Sequence, residues 1–269
     1  MSHTAAMPRQ LIITADDFGR SASVNAAVIR AHREGCLTAA SLMVAGEAFA
    51  EAVALAKATP TLQVGLHVVC IDGAATLPAT ELPDLVDGRG WFPAQPVALG
   101  TKCYFSRRAQ AQLQRELRAQ FARFAATGLP LSHVDGHWHF HLHPTVFPMV
   151  VALAEEFGAP RLRVPRDDFW SRVRRDRKRL LWKLVTALEF AWLNRRAARY
   201  LATRNSPLIT PDQCFGLFDT GGMDEAALRA ALARAQDGLV EIYLHPDLVN
   251  TAAAPNGPRE LEALLRVML

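Results

Sequence analysis

The sequence predicts an α/β fold, a single domain with parallel strands wound as an open sheet or a (β/α) barrel. Three observations carry this. Short apolar, β-branched runs alternate with longer segments of helical spacing, the pattern of strands joined by crossover helices. The chain has 269 residues, an ordinary length for one such barrel. Asp and His recur just after the apolar runs, where barrel strands open on a common face.

Residues 11–15 (LIITA) form the first predicted strand, and 21–34 a helix stopped by Gly35. Residues 38–44 read as the second strand, 47–58 as the second helix and 64–69 as the third strand. Residues 72–102, rich in Pro and Gly, read as a long irregular loop of the kind that serves a site. Residues 106–127 carry Leu113, Leu117, Phe121 and Phe124 on one helical face and end at Gly128. A strand is predicted over 131–134 and a helix over 144–157, opened by Pro144 and followed by Gly158. A short strand follows over 161–164. Asp224 caps a helix running to about residue 236, and 240–244 (VEIYL) is a late strand. No repeat and no linker divides the chain, so 1–269 is expected to be one domain, with 161–204 a basic, aromatic-bearing helical insertion within it.

Composition narrows the function classes. With 50% hydrophobic and 21% charged residues the chain is too apolar to be disordered, and 16 Gly and 16 Pro spread along it exclude a collagen-like or low-complexity protein. Residues 1–10 lack the apolar core of a secretory signal, and Cys36, Cys70, Cys103 and Cys214 are scattered without pairing motifs. A cytoplasmic location is therefore expected. No segment reaches the ~20 apolar residues of a membrane span; the nearest, 180–193 (LLWKLVTALEFAWL), is broken by Lys183 and Glu189 and reads as a buried or interfacial helix.

The net charge of +4 hides an asymmetry: residues 161–204 hold 14 Lys and Arg against 4 Asp and Glu. They also hold three of the five tryptophans, Trp170, Trp182 and Trp192. Basic flanks around an apolar, aromatic-bearing helix suit a membrane surface. A helix packed on the barrel with a solvated basic rim accounts for the same composition. No nucleic-acid partner is expected, because no binding motif accompanies the charge.

The chemistry-bearing residues stand at strand ends: Asp16-Asp17-Phe18-Gly19, His67, Asp135-Gly136-His137 and His245-Pro246. One carboxylate and two imidazoles can hold a divalent ion with positions left open for water and substrate. In the run His137-Trp138-His139-Phe140-His141-Leu142-His143, an extended backbone would point all four imidazoles one way, successive ones about 6.6 Å apart. At most two can then share an ion. Singly, each feature has a plainer origin: an aspartate pair before glycine is an Asx turn or cap, and a lone histidine fills a core. Packing does not ask for four imidazoles.

Thr14-Ala15-Asp16-Asp17-Phe18-Gly19, then Val64-Gly65-Leu66-His67, then Ser132-His133-Val134-Asp135-Gly136-His137-Trp138-His139-Phe140-His141 resembles the YdjC/ChbG-like carbohydrate deacetylases, which show ADDFG, GLH and a D-S-H-x-H-x-H block in this order. The likeness extends to Asn25, Ser41-Leu42-Met43-Val44 and His245-Pro246. Gly136 departs from the family's usual serine, and His143 is an extra imidazole. The resemblance implies a (β/α) barrel-like fold of distorted TIM type, one divalent metal ion and hydrolysis of an N-acetyl group from an amino sugar. It implies Asp17, His67 and His137 as metal ligands, Asp16 as general base and His245 as general acid, with His139 or His141 as substrate-binding residues or competing acids. An Asp-His-His set accepts Mg, Zn, Mn or Co, with Mg or Zn expected first.

Residues 161–204, with Ile209-Thr210-Pro211-Asp212, Phe215-Gly216-Leu217 and Glu241-Ile242-Tyr243-Leu244-His245-Pro246, resemble the hopanoid-biosynthesis-associated HpnK branch. This implies a lipid-linked substrate, an N-acetylglucosaminyl hopanoid, and peripheral contact of 161–204 with the inner membrane surface. Soluble chito-oligosaccharides, a different amide or phosphoester, or a non-catalytic metal- or lipid-binding role are the alternatives.

Overall fold

The computed structural model describes residues 8–170, 173 and 180–267. Strands β1 (Gln10–Phe18), β2 (Ala39–Leu42), β3 (Gln63–Val68), β6 (Val134–Gly136), β7 (Gln213–Phe215) and β8 (Leu239–Leu244) form one sheet in the order β6-β3-β2-β1-β8-β7. Every pairing in it is parallel. The sheet curls into a half-barrel whose edges are bridged by residues 161–166. Leu162 pairs with Val134 beside β6, Arg161 pairs with Ile209, and Cys214 of β7 donates its N–H to the Arg166 carbonyl at 3.2 Å. The predicted fold class is the observed one.

Helices α1 (Ala22–Glu34), α2 (Phe49–Lys57), α4 (Arg107–Ala125), α5 (Val146–Glu156), α7 (Glu225–Arg234) and α8 (Gly257–Arg266) accompany the sheet. Their ends follow local chemistry. Ser21, Ser106 and Asp224 accept hydrogen bonds from the N–H groups of Val24, Ala109 and Ala227 and cap α1, α4 and α7. Gly128 and Gly158, both at φ +73°, turn the chain after α4 and α5.

The excursion over 72–102 is more structured than its composition predicts. It contains an antiparallel hairpin, β4 (Gly73–Ala74) and β5 (Trp91–Phe92), and ends in helix α3 (Pro96–Phe105). Polar residues buried on α4 fasten it: Glu116 accepts from the Thr76 and Leu77 N–H groups, and Gln112 from that of Asp84. Pro and Gly spacing says nothing of such long-range ties. The strand expected over 131–134 lies at Val134–Gly136, although Ser132 already donates to the Val64 carbonyl. Strand β7 and helices α3 and α8 are additions to the predicted order.

The sheet inverts the usual distribution of polarity. Side chains facing the helices are apolar and buried: Ile13, Ala15, Ala40, Leu42, Val64, Leu66, Val240, Ile242 and Leu244. The alternate residues Thr14, Asp16, Ser41, His67, Asp135, Arg163 and Glu241 are also buried, but meet one another inside the half-barrel. Period-two alternation thus separates two buried faces rather than core from solvent. Gly65 is needed on the inner face, because a Cβ there would lie 2.4 Å from the His133 ring.

The 25-residue helix α6 (Leu180–Arg204) lies outside this body and presents two apolar faces. Phe190, Leu193, Tyr200 and Leu201 pack against the core, and Asn194 donates to the Pro165 carbonyl at 2.6 Å. Leu181, Val185, Leu188 and Trp192, spaced along the other face, are exposed, Leu181 by 75%. The basic cluster Arg172, Arg174, Arg175, Arg177, Lys178 and Arg179 that precedes it lies outside the described residues. Among the described residues, no helix is long and apolar enough to cross a membrane. All four cysteines are free and buried.

Candidate active site

The aspartate pair belongs to β1 itself, not to a turn after it. Between Ala15, opposite Ala40, and Phe18, opposite Leu42, β1 carries one residue more than β2, a bulge. Asp17 takes φ +64°, a left-handed conformation unfavourable to a non-glycine residue. In a regular strand adjacent side chains point to opposite faces; the bulge brings Asp16 and Asp17 to the same polar mouth. Behind it, Asn25 accepts from the Gly19 N–H at 2.8 Å and donates to the Ala48 carbonyl and to Glu51. Asn25 thereby holds the chain as it leaves the strand.

Asp17, His67 and His137 come together as a buried cluster whose candidate ligand atoms all lie within 4.8 Å of one another. Asp17 Oδ1 is 3.4 Å from His67 Nε2 and 3.0 Å from His137 Nδ1. Arg20 engages the other Asp17 oxygen at 3.0 Å. Asp17 Oδ1, His67 Nε2 and His137 Nε2 are buried with no hydrogen-bond partner, a costly condition that a cation would relieve. His67 Nδ1 meets Asp135 Oδ1 at 2.7 Å, the carboxylate–imidazole support found behind metal-bound histidines. This donor set fits a divalent ion.

Charge state follows from the same contacts. Burial alone would raise the Asp17 carboxyl, but His137 and His67 outweigh it and hold Asp17 well below the usual range. Burial would lower His67; Asp135 overcomes this and lifts it to about 10. A second trio, Asp16, His67 and Asp135, also has metal-ligand spacing. There the Arg163 guanidinium already bridges Asp16 and Asp135, so the cation requirement is met by protein.

The histidine run departs from the extended geometry. Residues His137–Leu142 form a 3₁₀ turn in which Trp138 and His139 both take φ +53°. The four imidazoles consequently disperse. His137 faces Asp17, His139 Nε2 meets the Tyr243 hydroxyl at 2.7 Å, and His141 Nε2 meets the Arg163 carbonyl at 2.9 Å. His143 stacks on Phe140. Burial and then Arg163 hold His139 well below the usual imidazole range, and burial brings His141 to about 4. Both are neutral near pH 7.

Asp16 is gripped by Arg163 through two hydrogen bonds, and its Oδ2 lies 4.0 Å from His245 Nε2. A cleft of about 290 Å³ opens over Asp16, Asp17 and His245, walled by Met43, Val69, Trp91 and residues 251–254. Its volume is at the lower end for a small-molecule site. Every predicted site residue thus lies in one neighbourhood, with His139 and His141 turned toward Tyr243 and Arg163. The sequence assigns no role to Arg163, Glu241 or Tyr243, and Asp135 reads only as a polar strand end. The available signal was Arg163 itself, a charge alternating with Leu162 and Val164 in a strand-like run.

Fold and site together define a parallel α/β barrel protein with a buried carboxylate–imidazole cluster, fit for a divalent ion, at the C-terminal strand ends. The chain belongs to the YdjC-like family, whose description matches residues 10–267. It is 45% identical over 151 residues to a carbohydrate deacetylase of Brevibacillus brevis, covering 56% of this chain and 58% of that protein. It is 37% identical over 169 residues to a chitooligosaccharide deacetylase of Serratia marcescens, covering 60% and 62%. The aligned stretch therefore spans less than two thirds of either relative. A crystal structure from Enterococcus faecalis V583, of a protein described as a candidate for cellobiose-phosphate cleavage, superposes with a TM-score of 0.71. The match covers 97% of this chain and 91% of that one at 23% identity, and establishes the shared fold.

Proposed function

We propose that this protein is a metal-dependent carbohydrate N-deacetylase that hydrolyses the acetamide of an acetylated amino sugar to acetate and a free amine. The observation that carries the reading is the orphaned Asp17–His67–His137 cluster, whose Asp17 faces one cleft together with a second, differently held carboxylate, Asp16. The relatives named carbohydrate deacetylases support it.

Asp17, His67 and His137 would hold one divalent ion, Mg or Zn. Bound there, such an ion supplies Lewis acidity toward the acetamide carbonyl and makes water a stronger acid. Asp16 takes the proton of the attacking water. His245 protonates the amine nitrogen as the C–N bond breaks. His245 suits this role because it is only partly buried and lines the cleft with Asp16. His139 and His141, held neutral, are poor proton donors and serve better as substrate-side or supporting residues.

The finer reading is a lipid-linked amino sugar, an N-acetylglucosaminyl hopanoid, met by a cytoplasmic protein at the inner membrane surface. The exposed stripe Leu181, Val185, Leu188 and Trp192 on α6 supports it, since Phe190 on the docked face of that helix reaches His139 at 5.7 Å between rings. Soluble chito-oligosaccharides are the second reading, favoured by the Serratia relative. Acetate release from chitobiose, and mass spectrometry of lipid extracts for loss of an acetyl group, separate the two. Asp16→Asn is expected to retain metal and lose turnover by on the order of 10²–10⁴-fold. Loss of metal binding in that variant would instead exchange the roles of Asp16 and Asp17.

A further inference from the structure

We propose that Arg163 is the positioning residue of this site, one guanidinium that orients the proton-accepting carboxylate directly and the metal-ligating imidazole through Asp135. The proposal rests on the deacetylase reading for its kinetic part and on geometry alone for its metal-binding part.

Arg163 is 1% exposed and its nitrogens meet three carboxylates. Nη1 and Nη2 donate to Asp16 Oδ2 and Oδ1 at 2.7 and 2.9 Å. Nη1 also lies 2.8 Å from Asp135 Oδ2. Nε and Nη2 donate to Glu241 Oε1 at 2.9 and 2.7 Å. The guanidinium carbon sits 4.6 Å from the centre of the Tyr243 ring. Every edge of the fork is occupied and one face is covered, so the group has a single orientation.

Each contact has a separate consequence. The twofold grip sets the plane of the Asp16 carboxylate, a constraint that a lysine ammonium, a point charge, does not impose. Asp135 divides its oxygens: Oδ2 takes Arg163 and the Ser41 hydroxyl, and Oδ1 faces His67 Nδ1. His67 Nε2 is thereby aimed at Asp17. Glu241, held by the Thr14 hydroxyl at 2.9 Å, reaches none of the candidate ligands and anchors the guanidinium from behind. A buried ion cluster is a poor way to stabilise a fold, since apolar groups of equal volume often do better. Its value lies in orientation.

The test uses the 269-residue chain and its variants Arg163→Lys and Arg163→Ala, with Zn²⁺ and chitobiose as probes. Cooperative melting is checked first. Arg163→Lys is expected to melt cooperatively, to bind Zn²⁺ about 10–100-fold more weakly, and to lose kcat by on the order of 10²-fold with KM changed little. Guanidinium ion added to Arg163→Ala is expected to restore part of the kcat, which a merely structural role would not allow. A folded Arg163→Lys protein with unchanged Zn²⁺ affinity and kcat overturns the proposal. So does failure of both variants to melt cooperatively with guanidinium present, since Arg163 would then be a folding residue. If the wild-type protein releases no acetate from any amino sugar, the deacetylase reading fails and the Zn²⁺ affinities alone decide the role of Arg163.

Discussion

The interior of the half-barrel and the outer face of α6 are opposites. Inside, Asp16, Asp135, Arg163 and Glu241 are charged, buried and held at hydrogen-bond distance. Outside, Leu181, Val185, Leu188 and Trp192 are apolar and exposed. Each region is the reverse of what stability alone selects, since charges cost free energy to bury and an apolar stripe gains nothing by facing water. The two reversals differ in kind. The interior is closed, with almost every polar atom satisfied except those that face the Asp17 cluster and its histidine neighbours. The helix face is open and lacks a covering element among the described residues. The first has the donor set of an ion site, the second an apolar stripe left open to solvent.

That contrast can be broken from either side. The largest effect is expected from Asp17→Asn, which removes the charged member of the proposed ligand set. Added Zn²⁺ or Mg²⁺ should raise the melting temperature of the wild type but not that of the variant, and acetate release should vanish. An undiminished metal-induced shift would show that the cluster is not the ion site. Next comes Asp135→Asn, which leaves all three proposed ligands in place but loosens His67. Metal affinity is expected to fall by roughly 10–100-fold, read by titration calorimetry.

Gly65→Ala addresses the closed character of the interior. The added methyl would collide with the His133 ring, so a loss of ~1–3 kcal/mol in denaturant unfolding is expected, with the metal ligands untouched. The smallest effect on the folded body is expected from Leu188→Asp, because Leu188 is 63% exposed. Stability should change by at most about 0.5 kcal/mol, whereas flotation with anionic liposomes should weaken several-fold if this face meets a bilayer. Equal flotation of variant and wild type would leave α6 without a lipid role.

Sequence alone disclosed one of these regions better than the other. The strands, the capped helices and the grouping of Asp16, Asp17, His67, His137 and His245 were legible, because apolar period and strand-end chemistry are local properties. Arg163 was not, because it sits in a run of basic residues and was counted there as surface charge. Only the pairings of Leu162 with Val134 and of Arg161 with Ile209 turn it inward. The histidine run misled for a related reason. Period-two reasoning presumes ordinary backbone, and Trp138 and His139 both occupy the left-handed region. The bulge at Asp16 and Asp17 is equally silent in composition, although it explains why two adjacent carboxylates serve one mouth.

The bridge formed by residues 161–166 has a consequence for how the protein is made. Its guanidinium meets Asp16 across 147 residues and Glu241 across 78, and Thr14 meets Glu241 across 227. Contacts of such separation are reached late in folding, after local helices and neighbouring strands. A nascent chain lacks the complete charge set until β8 has left the ribosome. Asp17 has Arg20 three residues away, whereas Asp16 waits for Arg163, 147 residues further along the chain, for the partner that orients it. The charge set of the half-barrel is therefore assembled only when β1, the 161–166 bridge and β8 meet across the same arginine.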